Sequence, residues 1–279
     1  MTTLADQIRR LHGEGRLRVW SLAVTIFGDA IAPRGGAIAM SDLSTLLELL
    51  GAESGAIRTA MSRLAGDGWV TRTKVGRRSY YALSESGLRS IRAASPRIYA
   101  AEPQEWDRVW TVALGPGAER LETDGFRRVA SGTWLRPGPP PPNESNNLFL
   151  VTGTGASPDW LRATLSPPDL AARYASLAAN WQDFEPTCIT APAEAMAART
   201  LLIHDWRRVL LRDAPLPRAL RPANWPGVAA RDMVARHYAA LAPISERWLD
   251  RCEAAAGHPL PAPTAPFHDR FAKTQQAMA

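Results

Sequence analysis

Between Glu53 and Leu83 the hydrophobic pattern switches within a few residues from a helical repeat to an extended one, and that switch limits what can be built around it. Ile57, Ala60, Met61 and Leu64 stand at i, i+3, i+4 and i+7, one apolar stripe of a helix. The opposite face carries Ser54, Arg58, Thr59, Ser62 and Arg63, short hydroxyls alternating with guanidinium groups. Gly66-Asp67-Gly68 stops the helix, and Trp69-Val70-Thr71-Arg72-Thr73-Lys74 reads as a strand. Val75-Gly76-Arg77-Arg78 turns the chain, and Ser79-Tyr80-Tyr81-Ala82-Leu83 returns it as the second arm of a hairpin. A polar-faced helix followed by a hairpin with a basic tip has the outline of a winged helix-turn-helix, a unit expected to hold DNA.

Charge placement supports the same expectation. The net charge of the 279 residues is +6. Residues 1–100 hold 14 Arg plus Lys against 8 Asp plus Glu, and the remainder holds 19 of each, so the whole excess surrounds the helix and hairpin. The length admits two or three domains, and a hydrophobic fraction of 46% with ten Trp argues against a disordered chain. Cys188 and Cys252 are too far apart in sequence to indicate a disulfide framework or a thiolate metal cluster, which fits a reducing, cytoplasmic compartment. Arg or Asp interrupts every long apolar run, so neither a signal peptide nor a membrane span is expected.

Ahead of the opening stretch, residues 4–12 form a short amphipathic arm, and Val19, Leu22, Ala23, Ile26, Phe27 and Ala30 repeat at helical spacing as a buried helix. Pro33-Arg34-Gly35-Gly36 ends that helix, and residues 37–40 form a short strand able to pair with the later hairpin. Ser41 is expected to cap a second helix over Asp42 to Leu50, and the turn from Gly51 leads into the polar-faced helix. In such an arrangement the second helix of the pair presents its outer face to the major groove. Arg58 and Arg63 have the geometry for guanine edges or phosphate, and Ser54, Thr59 and Ser62 for phosphate or base edges. Lys74, Arg77 and Arg78 at the hairpin tip are placed to reach the adjacent backbone or minor groove. A helix capped by Ser84-Glu85-Ser86 follows and is expected to break at Pro96.

A second unit begins near Trp106. Residues 106–114 read as a strand, 118–128 as a helix, 129–136 as extended and 147–152 as a further strand, with a stiff proline run at 137–142 between the last two. Strand, helix, strand, strand describes a small α+β domain. Beyond Ser166 the pattern is helical over residues 169–181, 193–211 and 228–255, and 258–279 read as a Pro-rich, loosely held end.

No catalytic constellation competes with the basic helix and hairpin. Thr152-Gly153-Thr154-Gly155 lacks the spacing of a dinucleotide loop and reads as a plain turn. His204-Asp205 has no second His or Cys ligand at helical spacing, which makes it structural or one wall of a ligand pocket. Arg207, Arg208 and Arg212 pair with acids such as Asp205 and Asp213 or grip phosphate oxygens. Trp106, Trp110, Trp134 and Trp206 read first as core.

The residues 21–36, Ser21-Leu22-Ala23-Val24-Thr25-Ile26-Phe27-Gly28-Asp29-Ala30-Ile31-Ala32-Pro33-Arg34-Gly35-Gly36, resemble the N-terminal signature of the phenylacetate-degradation repressor family, the PaaX-like regulators. Ile57-Arg58-Thr59-Ala60-Met61-Ser62-Arg63-Leu64 with Gly68-Trp69 is similar to that family's recognition helix. Gly125-Phe126 and Gly132-Thr133-Trp134-Leu135-Arg136-Pro137 resemble its ferredoxin-like, Cas2-like middle domain. Residues 202–208, 212–217 and 224–227 resemble its C-terminal helical domain.

The resemblance implies an α+β multidomain chain: a winged helix-turn-helix over 1–95, a Cas2-like ferredoxin-like domain over 96–160, and a helical effector-binding and dimerisation domain over 161–279. It further implies a homodimeric, non-enzymatic transcriptional repressor of an aromatic or carboxylic acid catabolic pathway, with no cofactor. Such a repressor would be released from a double-stranded operator by an acyl-CoA effector such as phenylacetyl-CoA. The effector residues it points to are Trp134, Arg136, His204, Trp206, Arg207 and Arg208. Two alternatives stand beside it, a Cas2-like nucleic-acid-processing enzyme and a regulator answering a different thioester or acid. The segment 109–114 lacks the Asp that Cas2 nucleases place at the end of the first strand, and 140–142 lengthen a loop, so metal-dependent cleavage is not expected.

Overall fold

The computed structural model describes residues 2–13, 18–100, 106–115, 125–140 and 148–272. Helix α1 (Leu4–Gly13) lies against the later helices, where Gln7 Nε2 donates to the Asn180 carbonyl at 2.6 Å. Helix α2 (Val19–Ile26) runs through one π-helical turn (Phe27–Ile31) and one 3₁₀ turn (Ala32–Arg34) before Gly35 and Gly36 release the chain at positive φ. Strand β1 (Ala37–Ala39) follows, then α3 (Met40–Leu49) and α4 (Ser54–Gly66). The turn between those two helices needs Gly51, which sits at φ +82° and lets its amide reach the Glu48 carbonyl at 2.8 Å. Strands β2 (Val70–Val75) and β3 (Arg78–Leu83) form a hairpin with a two-residue turn, and β1 pairs with the other side of β3. The three-stranded order is β1-β3-β2.

Helix α5 (Glu85–Ile98) leads to a second sheet of β4 (Val109–Leu114), β5 (Arg127–Ala130), β6 (Thr133–Pro137) and β7 (Phe149–Thr154). Its order is β5-β6-β4-β7 and every described pairing is antiparallel. Side chains alternate across it, so neighbours on β6 serve different faces. Leu135 packs with Trp110, with Leu161 and Leu165 of α6 (Asp159–Leu165), and with Leu216 and Leu220 beyond. Trp134 turns the other way, to Ala113 and Phe126.

The remaining helices are α7 (Pro168–Trp181), α8 (Pro192–Leu210) and α9 (Pro226–Leu249), followed by the small hairpin β8 (Glu253–Ala255) and β9 (His258–Pro259) and by α10 (Ala265–His268). Twelve consecutive residues of α8, Ala195 to Trp206, are buried, as expected only of a helix surrounded on all sides. One continuous core runs from Leu22, Leu43 and Met61 to Trp181, Leu202 and Val234. The helices that carry α4 and those that follow residue 168 are thus packed as one mass.

Several local expectations are corrected. Helix α3 begins at Met40 behind an Ala39 cap with no side-chain bond, so Ser41 lies inside the first turn. Helix α5 does begin at a Ser84 cap, with the Gly87 amide donating to Ser84 Oγ at 3.0 Å, but it runs through Pro96 to Ile98. Burial of Ile98 and Tyr99, with Trp206 Nε1 donating to the Ile98 carbonyl at 2.9 Å, holds that last turn against the proline's disruption. Arg127 and Arg128, expected in a helix, open β5, since their register with Leu135 and Trp134 satisfies a sheet edge. Residues 118–124 of that expected helix, 141–142 of the proline run and Asn147 lie outside the described residues. Helix α9 stops at Leu249, and the next residues pair as β8-β9 instead of continuing to 255. The expected loose end is docked as far as Ala272, with Phe271 and Arg270 buried; 273–279 lie outside the described residues.

Candidate nucleic-acid interface

Helix α4 buries Ile57, Ala60, Met61 and Leu64 and leaves Ser54, Arg58, Thr59, Ser62 and Arg63 exposed, as the helical repeat requires. Its end is closed by Gly68 at φ +72° and by the Trp69 amide donating to the Leu64 carbonyl at 2.9 Å. Lys74, Arg77 and Arg78 cluster at the hairpin tip, where Gly76 at φ +58° makes the tight turn.

The eight sequence-predicted residues differ in what already engages them. Arg58 is exposed and makes no hydrogen bond or ion pair to any described residue, and the same holds for Ser62, Lys74 and Arg77. Ser54 Oγ donates to Glu48 Oε1 at 3.0 Å, and Thr59 Oγ1 donates back to the Gly55 carbonyl at 3.0 Å. Arg63 lies 5.8 Å over the ring of Trp20 and 3.5 Å from Asp67. Arg78 is the most occupied: its Nη1 donates to Glu253 Oε2 at 2.8 Å, a carboxylate that also accepts from Tyr80 Oη at 3.1 Å. Asp42 Oδ2 in turn accepts from the Glu253 amide at 2.8 Å, so β8 is stitched to the base of α3 and of the hairpin. The exposed polar and cationic face is therefore Arg58, Ser62 and Arg63 along α4, with Lys74 and Arg77 at the hairpin tip.

Comparison with known proteins shows the family of the chain. Residues 18–87 match the family described as PaaX-like protein, and residues 168–251 match the PaaX-like protein C-terminal domain. A protein of Escherichia coli (strain K12) named transcriptional repressor PaaX is 31% identical over 283 aligned residues, covering 90% of this chain and 89% of that one. The chain belongs to the PaaX-like family. An uncharacterised protein from Mycobacterium tuberculosis is 21% identical, with 76% of this chain and 91% of that one covered at a TM-score of 0.49.

In this PaaX-like chain the expected effector residues fall on two separate elements, β6 and α8. Trp134 and Arg136 are on β6, where Trp134 is buried and the Arg136 guanidinium stands 5.8 Å from the ring of Phe126. His204, Trp206, Arg207 and Arg208 are on α8. His204 Nδ1 lies 3.1 Å from Thr25 Oγ1, and burial, reinforced by the charges of Arg207 and Arg208, pushes its imidazole down to about 3. Arg207 turns to α2, its Nε donating to Thr25 Oγ1 and its Nη2 to the Ser21 carbonyl, both at 2.7 Å. Asp205 and Asp213 do not take Arg207: Asp205 accepts from Arg10 at 2.5 Å and from Trp181 at 3.0 Å, Asp213 from Arg221 at 2.5 Å.

A neutral buried His204 has a signed consequence. Its folded pKa of about 3 lies below the unfolded 6.5, so the contribution is fully present above pH 6.5 and is lost as pH falls from there toward 3. At pH 5 the loss is about 2 kcal/mol relative to pH 7. Urea unfolding of His204→Asn should show a smaller fall in stability between pH 7 and pH 5 than the parent chain, by about that amount. Equal falls in the two proteins would show that His204 is solvated or already charged.

Sequence reasoning missed the most connected residue, Asp29. It is 2% exposed, and its carboxylate accepts from Arg199 Nε at 2.7 Å, Tyr99 Oη at 2.7 Å, Arg270 Nη1 at 3.0 Å and Tyr238 Oη at 3.1 Å. Burial alone would raise this carboxyl; Arg199 and Arg270, with the Tyr99 hydroxyl, reverse that and hold it below the usual range. Arg199 also donates to Glu246, which accepts from Arg34, and Arg34 reaches Asp250 at 2.9 Å. Gly28-Asp29 and Arg34 stood within the quoted signature, but their partners are 70 to 241 residues away in sequence, so no local pattern names them.

Proposed function

We propose that this chain is a DNA-binding transcriptional repressor of an aromatic or carboxylic acid catabolic pathway, released from its operator by an acyl-CoA such as phenylacetyl-CoA. The observation that carries the reading is the exposed outer face of α4, with Arg58 unengaged by any described residue, beside a hairpin tip bearing Lys74 and Arg77. Helices α3 and α4 with the β2-β3 hairpin serve as a winged helix-turn-helix, α4 entering the major groove and the hairpin lying along the flanking backbone. The relative from Escherichia coli is named as a transcriptional repressor, which supports the regulatory part of the reading. The sheet order β5-β6-β4-β7, second-third-first-fourth by position in the chain, supports a ferredoxin-like, Cas2-like middle unit. We read the helices after residue 161 as the effector-binding and dimerisation part, and the active form as a homodimer whose two α4 helices meet half-sites about one DNA turn apart. An effector then acts by favouring a spacing that no longer matches the grooves.

A gel-shift assay with DNA from upstream of the protein's own gene, with and without a panel of acyl-CoA thioesters and their free acids, tests this. Binding that phenylacetyl-CoA or a related thioester reverses is the expected result. Binding that ignores every thioester and acid removes the inducer class and leaves the repressor, and absence of any DNA binding removes both.

A further inference from the structure

The β2-β3 hairpin is cationic on its own account. Residues 69–83 hold Arg72, Lys74, Arg77 and Arg78 and neither Asp nor Glu, and all four cations are exposed. Its two faces are nevertheless unlike. Directly paired residues of an antiparallel ladder project to the same side, so Arg78 and Tyr80 share one face with Val75 and Thr73. Arg72 and Lys74 share the other with Tyr81 and Ser79. That second face is the one whose Val70 and Tyr81 are buried in the core that holds Ile57 and Met61, so it is the α4 side of the hairpin. There Arg72 Nη2 donates to the neutral Ser79 Oγ at 2.9 Å, and Lys74 has no described partner. On the first face a carboxylate arrives from 175 residues away, Glu253 of β8, which accepts from Arg78 Nη1 at 2.8 Å and from Tyr80 Oη at 3.1 Å. Among the described residues Glu253 is the one acid bonded to any of the four cations.

Pairs between exposed side chains usually contribute little, because two long side chains must be ordered and water screens their charges. Glu253 is held better than that. Its amide donates to Asp42 Oδ2 at 2.8 Å, which ties it to α3. Its neighbour Cys252 is buried, and the Leu260 amide donates to the Cys252 carbonyl at 3.0 Å, which closes the β8-β9 hairpin behind it. Just upstream, Asp250 Oδ1 accepts from the buried Arg34 Nη2 at 2.9 Å. The backbone beneath the carboxylate is therefore fixed, and the buried Tyr80 holds one of its oxygens. A carboxylate and a phosphate oxygen accept from a guanidinium in the same way, so Glu253 gives Arg78 the contact that a DNA backbone would otherwise give.

We propose that Glu253 is a selectivity-determining residue: an internal substitute for phosphate that neutralises one face of the hairpin, so that DNA is met only by the α4 side, with Arg72, Lys74 and Arg77. The proposal rests on the DNA-binding reading given under Proposed function and adds to it. A hairpin with free cations on both faces could lie along the phosphates in either orientation, and binding that ignores sequence would be strengthened by both. Discrimination needs the wrong arrangement disfavoured as well as the right one favoured. With Arg78 occupied, the orientation that turns β8 toward the duplex brings a satisfied guanidinium and an anion. The orientation that brings α4 to the groove keeps its cations free.

The test is fluorescence anisotropy of the full chain on DNA from upstream of its own gene and on a shuffled sequence, across a salt series. The proteins compared are the parent, Glu253→Gln, Arg78→Ala and the double variant. Glutamine keeps an oxygen for Tyr80 and Arg78 and removes only the charge. Glu253→Gln is expected to bind the shuffled DNA roughly three- to tenfold tighter at about 0.1 M salt, with the slope of log affinity against log salt steeper by about one, as for one added phosphate contact. Affinity for the upstream DNA should rise at most about twofold, so the preference between the two sequences falls. The thermal midpoint should stay near that of the parent, since the pair is partly exposed. In a chain that already carries Arg78→Ala, Glu253→Gln should bring no tightening, because no guanidinium is left to free. A purely structural Glu253 would give the opposite sign, weaker binding to both DNAs with a lower midpoint. That result, an unchanged salt slope, equal tightening on both DNAs, or tightening that persists with Arg78→Ala would overturn the proposal and leave α4 as the reading element. Absence of DNA binding by the parent would remove the reading beneath it as well.

Discussion

Asp29→Asn is expected to lower the stability of the folded chain by about 3–5 kcal/mol, because it removes the negative charge from a buried ionic cluster and leaves its cations in place. Asp29 is fully enclosed, and Arg199, with 0% exposure, and Arg270, with 8%, lose the carboxylate that offsets their desolvation. Asn can still accept hydrogen bonds from Tyr99 and Tyr238, so the loss is chiefly electrostatic. For a chain of this size the thermal midpoint should fall by on the order of 10 °C. Arg199→Met should also be severe alone, yet add much less to Asp29→Asn than to the parent chain, the signature of one coupled cluster. Simple additivity of two small effects would show the cluster to be solvated. The cluster joins the turn after α2 to α8, α9 and the segment around Arg270, so its loss should loosen the contact between the helices that carry α4 and those that follow.

Arg58→Ala should weaken binding to the operator roughly ten- to a hundredfold, with the preference among operator variants relaxed at one base position. The fold should be untouched, since Arg58 is exposed and has no described partner. Arg77→Ala should instead weaken binding to all sequences alike and reduce the slope of log affinity against log salt by about one. Arg78→Ala should do less than Arg77→Ala, because its guanidinium is already shared with Glu253 and must leave that carboxylate to reach phosphate. Measured affinities in which Arg78 outweighs Arg58 would invert this ordering and with it the assignment of α4 as the reading element.

The helix and hairpin proposed to face DNA were largely legible from sequence, because their determinants are local. The stripe of Ile57, Ala60, Met61 and Leu64, the stop at Gly68 and the turn at Gly76 lie within a few residues of what they shape. The short apolar run 37–40 read as a strand able to pair with the later hairpin, and β1 does pair with its second arm, β3. Illegible features were those set by distant contacts. Helix α5 outlasts Pro96 because Trp206, 108 residues away, holds the Ile98 carbonyl. The chain beyond Leu249 forms a hairpin and a docked end because Asp42 anchors Glu253 and because Asp29 takes Arg270. Arg207 and His204 sit in one short motif, yet only the three-dimensional surroundings separate a neutral imidazole bonded to Thr25 from a guanidinium bonded to the Ser21 carbonyl.

The most direct measurement is the affinity of the full chain for DNA from upstream of its own gene and for a shuffled sequence of the same composition, followed by fluorescence anisotropy across a salt series, for the parent and for Arg58→Ala. The parent should prefer the upstream sequence by at least a hundredfold, and Arg58→Ala should lose most of that preference while keeping its salt-dependent binding to the shuffled DNA. Equal affinity of the parent for both sequences, or full preference retained by Arg58→Ala, would contradict the account of α4 as the element that reads DNA.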